Sequence, residues 1–286
     1  MTTLTLPSPG KINRFFHILG QRPDGYHQIE TAFQFTQWGD TLSFTPLSTP
    51  TIQLESNTAI SPEDNLITQA AQQLQATLTS PQGVHITLDK QLPMGGGMGG
   101  GSSNAATTLL ALNYLWSLHQ SLDELNTIAQ PLGADIPVFL HGQSCFATGI
   151  GQNLHPATFN EPYYLLLLPE THCSTSALFQ HPDLPRATPS IPLEIMDDAK
   201  TKNDFEPLVR HLHPEIDKIM NDLGSFTSAK LTGSGATVYG TFDTSEEASR
   251  IALQMSRCCQ TVITRGCNES PTHTALRQIE AEQRAG

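Results

Sequence analysis

The chain has 286 residues, 38% of them hydrophobic, with 21 glycines and 5 cysteines, which excludes both a disordered chain and a disulfide-dense miniature. That length suits one large domain or two ordinary ones. Fifteen basic against 27 acidic residues leave a formal charge of −12, which excludes a protein that tracks nucleic-acid phosphates and, taken alone, points away from anionic ligands.

The opening MTTLTLPSPGK has no basic n-region and no apolar h-region, so no secretory leader is expected. Short apolar runs follow at 12–19, 30–36, 41–47 and 51–56, separated by breakers at 20–25, Gly39-Asp40 and Pro50. That spacing predicts antiparallel strands rather than strand–helix–strand units. Ser61-Pro62-Glu63-Asp64 announces a helix with Ser61 as N-cap, and Leu66, Ile67, Ala70, Ala71, Leu74 and Leu78 continue it at helical spacing. Residues 84–88 read as another strand. Then comes LPMGGGMGGGSSNAATTLLALNYLW, in which six of the seven residues from Gly95 to Gly101 are glycine and a helix starts at about Ser102. A capping box at Ser121-Leu122-Asp123-Glu124 opens a further helix that Gly133 can close.

The Pro- and Gly-containing span 149–162 predicts a boundary between two domains, 1–150 and 151–286. Four basic and ten acidic residues fall before it, and 11 and 17 after it, so each part carries −6 and no acidic tail explains the charge. Beyond the boundary the pattern predicts a strand at Tyr163–Leu168, a short helix near 175–179, helices at 204–212 and 214–223, a strand–turn–strand around Gly233-Ser234-Gly235, a helix at 245–257 and a strand at 261–264. Sheets with helices gathered beside them make an α+β protein. The longest aliphatic run, Tyr163–Leu168, is far short of the roughly 20 residues that span a bilayer, so no membrane partner is expected. Cys145, Cys173, Cys258, Cys259 and Cys267 show no CxxC pattern, which argues against structural zinc and for a reducing, cytoplasmic setting; the vicinal pair 258–259 reads as reduced helix residues.

The glycine loop carries the strongest chemical signal. Glycine permits positive φ and close backbone approach, and ahead of a helix its N–H groups form an anion cradle. A Walker A loop fails because no lysine occurs between Lys90 and Lys200. A GxGxxG match is nearly free in such a run, and the dinucleotide fold it would announce needs a strand directly before it, where 89–94 intervene. Three further features are ordinary when alone: Lys11 after a Pro/Gly turn, Asp135 as an N-cap before Ile136-Pro137, and Gly233-Ser234-Gly235 as a hairpin turn. His211 and His213, beside Pro214, read as solvated surface rather than a metal pair.

Together and in this order, PGKIN, PDGYH, LPMGGGMGGGSSNAA, LGADIPVF and LTGSGA resemble the GHMP kinase superfamily, from about Pro7 to Pro271. The resemblance implies a two-domain α+β fold with the active site between the domains, and ATP-dependent phosphorylation of an alcohol. The doubled glycine run and PDGYH point within the superfamily to a substrate carrying cytidine diphosphate. A homoserine- or mevalonate-type kinase, or a nucleotide-binding protein without turnover, remains as an alternative. Carried over residue by residue, the resemblance makes Lys11 and Asp135 catalytic. It gives ATP binding to Pro93, Met94, Gly95, Gly96, Gly97, Met98, Gly99, Gly100, Gly101, Ser102, Ser103, Asn104, Gly233, Ser234 and Gly235. Ser103 stands near Mg²⁺, and Asn13, Tyr26, His27 and Phe179 bind the second substrate, with Tyr26 and His27 on the cytosine and Phe179 opposite. Partners are these small molecules, with the protein a monomer or weak homodimer. Gly10 departs from the family's usual Ala before the lysine, and Gln180-His181 departs near Phe179.

Overall fold

The computed structural model describes residues 3–192 and 200–285. β1 (Leu4–Gln21) and β2 (His27–Leu47) form a long antiparallel hairpin. β2 joins the expected strands 30–36 and 41–47 into one. The β1–β2 register shifts between Pro9 and Lys11, between Asn13 and Phe16, and between Ile18 and Gly20. Such bulges bend a strand and re-aim its side chains. Lys11 and Asn13, two residues apart, share one face of β1.

β3 (Ile52–Ser56) pairs with β4 (Gly83–Asp89) in parallel, not antiparallel as its short spacing suggested, because α1 (Leu66–Gln75) supplies the crossover a parallel pair needs. The N-cap of α1 is Asn65, whose side chain accepts from the Ile67 N–H at 3.0 Å. Ser61 instead closes a separate turn, its hydroxyl donating to Asp64 at 2.9 Å. α2 (Gly100–Leu115) starts two residues earlier than expected. α3 (Leu122–Ala129) has the Ser121–Glu124 capping box read from sequence, but ends at Gln130, before Gly133. α4 (Ile136–His141) and the hairpin β5 (Cys145–Thr148)–β6 (Asn153–Pro156) follow, with β5 on β2. β6 thus lies within the span expected to separate the domains.

Next come β7 (Tyr163–Leu168), α5 (Thr175–Gln180), α6 (Glu206–Leu212), α7 (Pro214–Gly224), β8 (Lys230–Leu231), β9 (Val238–Phe242), α8 (Ser245–Met255), β10 (Gln260–Cys267) and α9 (Pro271–Ala285). Cys258 and Cys259 fall in the turn after α8 rather than in the helix, and every cysteine is free. β10 pairs with β2 at one end and β7 at the other, giving the strand order β3-β4-β2-β10-β7-β9-β8. No helix among the described residues is long and apolar enough to cross a membrane.

Two cores flank this sheet. One gathers Leu6, Phe35, Phe44, Ile67, Ile86 and Leu112, with Leu276 of α9 returning to it from the far end of the sequence. The other gathers Leu165, Leu167, Ile216, Leu223, Val238 and Ile251, with Phe16 and Ile18 of β1. A small third cluster, Ile12, Leu92, Met98, Tyr164, Leu166 and Tyr239, forms the seam between them. Met98, the lone side chain in the glycine run, is fully buried there. Burying a side chain of that size contributes roughly 1.5–3 kcal/mol toward anchoring the loop.

Candidate active site

The seam opens into a cavity of about 760 Å³, of a size for nucleotide-scale ligands. Lys11, Asn13, Tyr26, His27, residues 93–102, Asn104, Asp135, Phe179, Gly233 and Ser234 line it. Of the residues singled out in the sequence, Ser103 and Gly235 stay behind the wall.

Gly97 and Gly99 show why the loop is glycine. Both have positive φ, 75° and 70°. A Cβ on Gly97 would run into the carbonyl oxygen of Thr232, so the loop docks backbone to backbone on the Gly233 turn. Gly99 is the N-cap of α2 and has no side chain to cap it. The first intrahelical bond belongs to the Ser103 N–H, which donates to Gly99 at 2.8 Å. The preceding N–H groups, of Gly100, Gly101 and Ser102, have no intrahelical partner and belong to residues that line the cavity, so they are available to an anion, reinforced by the helix dipole.

The early start of α2 turns Ser103 inward. Its hydroxyl pairs with Ser8 at 2.8 Å and is fully buried. Ser103, the residue expected near Mg²⁺, thus lies behind the cavity wall, and Ser102 is the loop hydroxyl on it. Asn104 also turns partly inward, donating to Ser8 and Asp40, both at 2.9 Å. Among the described residues no cluster of three His, Cys, Asp or Glu could hold a metal. A magnesium ion arriving with polyphosphate needs few protein ligands, and the Ser102 hydroxyl and Asp135 carboxylate are oxygen donors of the right kind.

Lys11 is 3% exposed. Its ammonium donates to the Gly97 carbonyl at 2.8 Å and to the Asn13 side chain, and lies 3.6 Å from the Asp135 carboxylate. Burial pulls the Lys11 pKa down, and the charge of Asp135 offsets part of that. Asp135 occupies the N-cap position of α4 but makes no side-chain cap hydrogen bond, so capping does not explain it. Asn13 is fixed in turn by donating to Thr31 at 2.8 Å. The space a Cβ would need at Gly10 is taken by the ends of Met98 and Leu92 and by Thr36. The bulkier neighbours thus occupy the place of the missing methyl.

At the other end of the cavity Tyr26 is 62% exposed, beside the stacked rings of His27 and Phe179, 4.8 Å apart and 23° from parallel. Because His27 lies directly on Phe179, no ring fits between those two; Tyr26 is the free aromatic face at this end.

Several residues that hold the site were invisible in sequence. The buried Asp40 accepts from the Gln91 and Leu92 N–H groups at 2.7 and 2.8 Å, from Lys90 at 2.5 Å and from Asn104, tying the entry of the glycine loop to the start of α2. Thr232 accepts from the Asn13 N–H at 2.9 Å, and Asn203 donates to the Leu231 and Gly233 carbonyls at 2.8 and 2.7 Å. Arg186 donates to His27 at 3.1 Å and to the Phe179 carbonyl at 2.8 Å. Apart from Arg186 with Phe179, these partners are separated by 28 to 219 residues along the chain, so no local pattern signals them.

The family model described as GHMP kinases N terminal domain matches residues 65–143, and GHMP kinases C terminal matches 190–261. The chain is 44% identical over 278 residues to the 4-diphosphocytidyl-2-C-methyl-D-erythritol kinase of Pseudomonas fluorescens (strain SBW25), covering 97% of this chain and 98% of that one. It is 45% identical to the protein of the same name from Shewanella pealeana, over 96% and 98%. A crystal structure of 4-(cytidine 5'-diphospho)-2C-methyl-D-erythritol kinase superposes with a TM-score of 0.82 at 27% identity, covering 92% of this chain and 99% of that one. Homoserine kinase from Cytophaga hutchinsonii superposes at 0.69 with 14% identity, over 94% and 96%, a likeness of fold.

Proposed function

Since the chain belongs to the GHMP kinases, in the group of the 4-diphosphocytidyl-2-C-methyl-D-erythritol kinases, we infer that it phosphorylates the 2-hydroxyl of that substrate from ATP, yielding the 2-phosphate and ADP for isoprenoid precursor synthesis by the methylerythritol phosphate route. Near-full-length identity of 44–45% to proteins of that name carries the reading. The meeting of Lys11 and Asp135 beside the glycine loop supports it.

In this reading the substrate hydroxyl attacks the γ-phosphorus, the bond to the ADP oxygen breaks, and Asp135 accepts the hydroxyl proton. Lys11 pairs with Asp135 at 3.6 Å and meets charge on the transferring group. The N–H groups at the head of α2 hold the polyphosphate, and Gly233 and Ser234 close over it from the second half of the chain. Asn13 orients the methylerythritol end, and Tyr26, His27 and Phe179 take the cytosine. Ser102 and Asp135 would supply protein oxygens to a magnesium ion arriving with ATP, which would neutralise part of the phosphate charge. Residues 1–150 form the ATP-binding part and 151–286 the part that completes the substrate site. The setting is cytoplasmic, in keeping with the free cysteines.

The test is ADP release with Mg-ATP and 4-diphosphocytidyl-2-C-methyl-D-erythritol, run beside mevalonate and homoserine. Turnover of the cytidylyl compound alone is expected; turnover of another alcohol without it overturns the assignment.

A further inference from the structure

His27 carries an asymmetry that its aromatic contact does not explain. Its Nε2 receives the Nε–H of Arg186 at 3.1 Å. A guanidinium has no acceptor and does not lose its proton, so Nε2 must supply a lone pair. The neutral ring then carries its proton on Nδ1. That nitrogen finds no acceptor among the described residues, and unlike Nδ1 of His17 and His273 it is not sealed from solvent. His27 lines the cavity. Arg186 is itself held rigidly: Nη1 donates to the Leu184 carbonyl at 3.0 Å, and Nη2 to the Phe179 and His181 carbonyls at 2.8 and 2.9 Å. These acceptors are all neutral, and among the described residues no carboxylate pairs with the guanidinium. Its full charge therefore bears on His27, the ring it faces. Burial first and that charge second pull the His27 pKa down, which keeps the ring neutral.

We propose that Arg186 is a positioning residue that fixes His27 as the Nδ1–H tautomer, making it an obligate hydrogen-bond donor to the bound base and so selecting a pyrimidine edge that offers a lone pair over one that offers an N–H. Cytosine N3 is an acceptor where uracil N3 is a donor, so a fixed donor discriminates between them. The proposal rests on the reading that this end of the cavity takes the cytosine. Arg186 also covers carbonyls at the end of α5, a purely structural role that the test must separate.

In full-length protein with ¹⁵N-labelled histidine and no substrate, the long-range ¹H–¹⁵N spectrum of His27 shows a protonated Nδ1 and a bare Nε2. In Arg186→Gln the pattern shifts toward the Nε2–H form. The same variant raises KM for the cytidylyl substrate about tenfold while KM for ATP moves less than about twofold, and preference over the uridylyl analogue falls by a similar factor. Arg186→Lys, which also only donates, restores part of each. An Nε2–H ring in the unaltered protein, or a tautomer that ignores Arg186→Gln, overturns the proposal. So does a fall in ATP affinity in step with the cytidylyl effect, which marks loss of α5 alone. His27→Ala with an unchanged cytidylyl KM removes the base from this site and overturns the underlying reading; the tautomer measurement, needing no substrate, tells the two failures apart.

Discussion

Lys11 and Asp135 stand 3.6 Å apart with very unequal exposure, the lysine side chain at 4% and the aspartate at 40%. The cation is set in the protein, and the anion reaches toward whatever enters the cavity. That division suits a carboxylate that must take a proton from a ligand and a lysine that must stay where it is.

Asp135→Asn keeps shape and loses the base. Turnover should fall by about 10²–10⁴, the usual worth of a positioned general base, with ATP binding largely kept. Steady-state rates with calorimetric ATP titration check this; a variant retaining most of its rate refutes the role of Asp135.

The ammonium of Lys11 titrates below its ordinary 10.5, because burial outweighs the help from Asp135. Activity that needs the ammonium is lost as pH rises through that lowered value, so the alkaline limb of kcat falls below 10.5. Asp135→Asn should move the lysine lower still, as side-chain NMR of labelled lysine can read. The stability sign is opposite. Between the folded value and 10.5 the unfolded chain binds the extra proton, so the contribution of this lysine grows as pH rises through that window.

Asp40→Ala strips partners from Lys90, Asn104 and two backbone N–H groups at once. Removing one member of a buried pair costs about 3–5 kcal/mol, so denaturant unfolding should show a loss of that order. KM for ATP should rise with it, since the loop loses its tether. An unchanged KM would mean that Met98, Lys11 and the Gly233 turn hold the loop without Asp40.

Gly97→Ala and Gly101→Ala make a matched pair. The first has positive φ and meets the Thr232 carbonyl, whereas the second meets only Leu66 at 3.4 Å, an ordinary contact. The first should weaken ATP binding at least about tenfold and the second scarcely at all, since alanine favours the helix there. Equal effects would show that the loop is sensitive to any side chain rather than to its dock on the Gly233 turn.

What could be read from sequence was what local pattern encodes. Six apolar residues between Pro162 and Pro169 marked β7 to the residue, and Ser121 with Glu124 marked the start of α3. The motifs named Lys11, Asn13, Asp135 and the glycine loop, and all of them line one cavity. Helix phase was not legible: glycines hid the start of α2, so which of Ser102 and Ser103 faces the cavity could not be read from the sequence. Nor was α9, whose Ala275, Leu276 and Ile279 are too sparse among polar residues to announce a buried face. Asp40, Asn203 and Arg186 owe their roles to partners brought close only by folding, and composition carries no trace of that.

The seat of Leu276 in the first core has a consequence in time. α9 packs on β1 and leaves the ribosome after every other described element. The strands made first must wait, part of their apolar flank uncovered, until nearly the whole described chain has been synthesised. A nascent chain stalled before residue 271 presents a sticky, unfinished surface to chaperones and proteases.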